Sequence, residues 1–138
     1  MRSYFQECVA ILEEIYPTLP ENKKKDAFYM INLGKFIANC CTTTIHVKEW
    51  ALLKMKLFVE TDPQKIKEYG QALIKIGYDE IENARNTIPL SEADSRLGWE
   101  PSMEYMTDPD HLSWKIRQVK RTIEGEIPGY LSALKYNE

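Results

Sequence analysis

The chain has 138 residues, 43% of them hydrophobic and 28% charged, and a net charge of −3. That length supports one domain with its own core, without metal or disulfide staples. A slightly acidic chain has no global basic field to attract nucleic acid, and no run of about 18 apolar residues is present to span a membrane.

The three cysteines, Cys8, Cys40 and Cys41, make a poor disulfide framework, being odd in number with two adjacent. Glu7 interrupts the N-terminal stretch MRSYFQECVAIL, where a secretory signal would be uniformly apolar. With Met1 as the natural start, the expected compartment is a reducing cytoplasm.

Ser3 and Gln6 have capping-box spacing, and Phe5, Val9, Leu12 and Tyr16 follow with a helical period. A first helix is predicted over 3–16, ended by Pro17 and Pro20. From Asn22 to Val59 there is no proline and one glycine. Ala27, Ile31, Gly34, Ala38, Cys41 and Ile45 form one stripe, continued by Leu52, Met55 and Val59. One helix of this length is about 55 Å long, too long for the first helix to cover. Its uncovered part must meet the later connection, the C-terminal turn or another chain. A bend is expected near Thr42–Thr44, where threonine hydroxyls can bond back to the preceding turn. Gly34 and Ala38 are small enough for another helix to approach.

Asp62 is a suitable N-cap and Pro63 suits the first helical position. Ile66, Tyr69, Leu73 and Ile76 make one stripe of the third helix, and Ile74, Ile81, Ala84 and Ile88 a neighbouring one. Two stripes predict contact from two sides, with Pro89 as the terminator. Thr107-Asp108-Pro109 repeats the start signal, and Leu112, Ile116, Val119, Ile123 and Ile127 define a last helix to about Glu126. Pro128-Gly129 breaks it, and Tyr130, Leu131 and Leu134 form a docked turn. No stretch alternates with period two. The expected fold is all-α: an up-down helical bundle of four main helices with a long irregular connection before the last, making one domain over residues 1–138.

That connection, Ile88 to Pro109, holds the principal candidate site. Connections longer than about 12 residues are uncommon in compact domains and are often functional. Asp94 and Glu100 supply acceptors, Arg96 a five-donor fork, and Trp99 and Tyr105 flat apolar faces. Carboxylates beside an aromatic platform suit a sugar, and two carboxylates about 5–9 Å apart can perform glycoside chemistry. The structural alternative is an Asp94–Arg96 pair that orders the loop while Leu97, Trp99 and Met103 plug the end of the bundle.

The remaining candidates have plainer readings. Cys41 is expected in the core with Cys40 at its edge. His46 lies off the cysteines' helical face. His111, near Asp108 and Asp110, is a general-base candidate that reads better as a solvated residue. Lys115, Arg117, Lys120 and Arg121 read as the solvated face of an amphipathic helix. No catalytic residue, metal or cofactor is assigned.

Leu33–Leu57 and Glu82–Arg121, above all ADSRLGWEPSMEY, resemble the helical C-terminal part of large bacterial glycoside-hydrolase-like proteins of the α-glucuronidase-like or hexosaminidase-like kind. In such proteins the catalytic carboxylates sit on a barrel of about 250 residues, which an all-helical chain of this size cannot contain. The resemblance therefore implies a non-catalytic accessory or interaction module. Its implied partners are a catalytic domain, a glycan or a second copy. The alternatives are a small ligand-binding bundle or enzyme using Asp94, Arg96, Glu100 and His111, and a homo-oligomerisation bundle.

Overall fold

The computed structural model describes residues 1–98 and 107–134, and these are all-α. Helix α1 spans Arg2–Ile15, followed by a 3-10 turn at Tyr16–Thr18. Helix α2 spans Glu21–Val59, α3 Pro63–Ala93 and α4 Pro109–Arg121. A π-helical turn at Thr122–Glu126 leads into α5, Ile127–Leu134. No helix is long and apolar enough to cross a membrane among the described residues.

Local chemistry accounts for most boundaries. Asp62 accepts from the amides of Gln64 and Lys65, and Asp108 from that of His111, so the repeated aspartate-proline pair starts α3 and α4 as expected. The Ser3–Gln6 capping box is not formed: α1 begins one residue earlier, with Met1 at its N-cap and no side-chain cap. Helix α2 runs unbroken through Thr42–Thr44. The hydroxyls of Thr42 and Thr44 bond back to the carbonyls of Ala38 and Cys40, and the helix absorbs them without a break.

Two prolines behave differently from expectation. Pro89 does not end α3, which continues to Ala93. Pro89 and Arg85, whose carbonyl loses its amide partner, both lie on the exposed side, where water can replace the missing bond. The irregular connection is correspondingly shorter. Pro128 likewise does not break the last helix, which passes into α5 through the π-turn, the Ile127 amide reaching back to the Thr122 carbonyl.

Helix α3 is central. Gly70, Leu73, Gly77, Glu80, Ala84, Thr87, Ser91 and Asp94 are all buried and follow one another at alternating steps of three and four. The seam's small residues admit the neighbouring chain. A Cβ on Gly77 would lie 2.3 Å from Ile123 Cγ2, and one on Gly70 2.4 Å from Leu131 Cδ1. Gly34 receives Val9 of α1 in the same way, as the sequence predicts. One apolar cluster gathers Leu57, Leu73, Ile81, Ile123 and Ile127; a second gathers Phe36, Leu90 and Leu97.

The stripe on α2 is only half used. Ile31 and Ala38 are buried, but Leu52, Met55 and Val59 are exposed, and Leu57 takes the core position instead. Helix α1 reaches α2 around Gly34–Asn39, so the stripe runs on past the helix that covers its first half.

Candidate functional site

Between the two apolar clusters lies a polar layer. Asn39 donates to the Thr87 hydroxyl at 2.9 Å, and Asn83 donates to the Asn39 carbonyl at 3.1 Å and the Thr43 hydroxyl at 3.0 Å. The layer ends at Glu80, only 7% exposed at mid-α3. Its Oε1 accepts from Thr43 at 2.7 Å and from Lys115 Nζ, and its Oε2 pairs with His46 Nδ1 at 2.6 Å. Three helices thus converge on one carboxylate: α2 with Thr43 and His46, α3 with Glu80, and α4 with Lys115. Burial alone would raise the Glu80 pKa, but the hydrogen bonds from Lys115, Thr43 and His46 outweigh it and hold the carboxyl below its ordinary value. Glu80 is therefore ionised at neutral pH.

The cluster forms the inner end of an open cleft of about 350 Å³, with Val47, Trp50, Ile76 and Val119 among its walls and Gln118 at its edge. A smaller cavity of about 160 Å³ lies along the polar layer, bounded by Asn39, Thr43, Thr87 and Lys115. The larger volume falls within the range of about 300–1,000 Å³ usual for small-molecule sites.

The sequence-predicted residues lie elsewhere. Asp94 and Arg96 close on each other: Arg96 Nε donates to Oδ1 at 2.8 Å and Nη2 to Oδ2 at 2.7 Å. These bonds hold the Asp94 carboxyl below its usual range. The guanidinium also lies 5.2 Å from the centre of the Tyr29 ring, tying the connection to α2. Leu97 packs into the second apolar cluster. Gly98 turns the chain at φ +74°, where glycine is favoured, and its carbonyl accepts from the Thr107 amide at 2.9 Å. Trp99, Glu100 and Tyr105, with Met103, lie outside the described residues.

His111 does not join Asp94 and Arg96 in a pocket. It sits in the first turn of its own helix, Nδ1 lying 2.6 Å from Oδ2 of the capping Asp108, and remains 55% exposed. Asp108 is held below its ordinary pKa by the His111 amide and imidazole. Cys41 is half-buried rather than core, and Cys40 lies at the surface with its thiol partly desolvated; that desolvation and the neighbouring Cys41 raise the Cys40 thiol, which disfavours the nucleophilic thiolate. Among the described residues no three histidine, cysteine or acidic side chains converge as a metal site would require.

Lys115 is the main correction to the solvated basic face: it turns inward, while Arg117, Lys120 and Arg121 stay exposed. Sequence reasoning missed Glu80 as well. The signal was available, because Glu80 follows Leu73 by seven residues and sits between Gly77 and Ala84 at steps of three and four. A glutamate inside a buried seam needs partners. No family model, curated protein or solved structure matches this chain.

Proposed function

We propose that this chain is a non-catalytic helical binding module whose working site is the cleft ending at Glu80, His46 and Lys115. The observation that carries the reading is a cleft of about 350 Å³ with apolar walls and a single charged end, built by three helices. A binding role is supported because the charges there are engaged with one another: Glu80 meets Lys115 and His46 and is held ionised. The apolar walls give a glycan few partners for its hydroxyls, so the glycan suggested by the resemblance is not part of this reading. Titration with the apolar fluorophore 8-anilinonaphthalene-1-sulfonate is expected to reveal one site that Gln118→Trp, at the edge of the cleft, removes. Unsaturable binding, or equal binding to the variant, would exclude the cleft.

A second observation favours self-association. Leu52, Met55, Phe58 and Val59 leave a broad apolar side of α2 in solvent, with Val59 81% exposed. We propose that a second copy, lying antiparallel, covers it. A two-fold that brings Glu49 of one copy beside Lys56 of the other gives complementary charges at the edge of this side. Sedimentation velocity is expected to find a dimer that Met55→Glu with Phe58→Glu converts to monomer. A wild-type monomer at every concentration would exclude the second copy.

A further inference from the structure

The hydrogen-bonding capacity at the inner end of the cleft narrows the ligand class, an inference that rests on the binding reading above. Three donors converge on Glu80: Oε1 accepts from both Thr43 and Lys115, and Oε2 pairs with His46. The Thr43 oxygen donates to Glu80 and accepts from Asn83 and, at 3.5 Å, from Lys115. Thr122, also at the cleft, donates to Glu126 at 3.1 Å. The cationic donor with capacity left over at this end is Lys115. An ammonium has three protons, and Lys115 directs two of them at Glu80 and Thr43. The Gln118 amide lines the same cleft and has no partner among the described residues. The walls beside these donors are Val47, Trp50, Ile76 and Val119.

We propose that the cleft takes a small carboxylic acid with an apolar body. Its carboxylate accepts from Lys115 and Gln118, and its hydrocarbon lies along Val47, Trp50, Ile76 and Val119. Glu80 is then a positioning residue, holding the Lys115 ammonium at the end of an apolar channel. A charge-assisted hydrogen bond in a partly desolvated site separates a carboxylate from a neutral alcohol of the same length by about ten-fold or more in affinity.

Calorimetric titration of the full chain with octanoate, 1-octanol and octylamine tests this. One-to-one binding of octanoate is expected, about ten-fold or more tighter than 1-octanol, with octylamine no better than the alcohol. Gln118→Trp should abolish octanoate binding. Lys115→Met should bring octanoate down to the affinity of the alcohol, and Lys115→Arg should keep the preference. If Lys115→Met fails to fold, the three wild-type titrations decide the question alone. Equal affinities for acid and alcohol, or a preference for the amine, overturn the carboxylate assignment and leave the cleft standing. Binding of none of the three overturns both.

Discussion

Glu80 has almost no contact with solvent, and a carboxylate in that position is tolerated only with compensation. Desolvating it costs several kcal/mol, and Lys115, His46 and Thr43 together offset that cost. Glu80→Gln would leave the Lys115 ammonium without its counter-charge, so it is expected to destabilise the fold by about 2–3 kcal/mol in urea unfolding at neutral pH. The sign of the pH dependence follows from the depressed pKa. A carboxyl whose folded pKa lies below its ordinary value of 4.5 contributes stability that is present above 4.5 and lost as pH falls through the folded value. The gap between wild type and Glu80→Gln should therefore narrow as the pH falls from 4.5 and close below the lower folded value, where the protonated wild-type group resembles the amide. A gap that persists at acid pH would mean that shape, not charge, holds the site together.

At the scale of elements, α3 sets the packing, and its glycines respond according to what faces them. Gly77→Ala brings a methyl group to within 2.3 Å of Ile123, itself 1% exposed and unable to move aside. Overpacking costs about 1–3 kcal/mol and exceeds the helix-propensity gain of about 1 kcal/mol, so the variant should melt earlier. Gly129 in α5 faces nothing within 4 Å, and Gly129→Ala should gain about 0.5–1 kcal/mol. If thermal melts give both substitutions the same sign, the close approach of α3 to the π-turn is wrong. Pro89→Ala restores an amide to an intact helix and should raise stability by about 1–2 kcal/mol, whereas it would change nothing had the helix already ended.

The same elements explain what the sequence made legible. Aspartate-proline caps act within one turn, so the starts of α3 and α4 could be read directly. The Asp94–Arg96 pair was legible for the same reason, being two residues apart and closed on itself. Pro89 and Pro128 misled because the outcome depends on whether water or a π-turn replaces the lost bond, and neither is a local property. The Glu80 site stayed hidden because its groups come from positions 43, 46, 80 and 115, on three helices. Only the seam on α3 hinted at it.

At the scale of the molecule, two apolar clusters among the described residues are separated by a polar layer rather than merged into one core. Helices α2 and α3 form a long interface, and a uniformly apolar one can slip by a turn at little cost. Asn39, Asn83 and Thr87 bond to partners in only one register, so the layer assigns each turn of α2 to one turn of α3. Buried polar groups of this kind often add little to stability while specifying alignment. Replacing Asn39 and Asn83 with Leu and Thr87 with Val is then expected to leave the melting temperature unchanged or higher. The same variant should show multiple amide resonances for residues of α2, because alternative registers become accessible. It should also lose affinity for any ligand held at Glu80, since Thr43 and His46 would no longer stay opposite that carboxylate. A single sharp set of resonances, accompanied by a loss of stability equal to the separate hydrogen bonds, would assign the layer to stability and leave the alignment of the two helices to their apolar contacts.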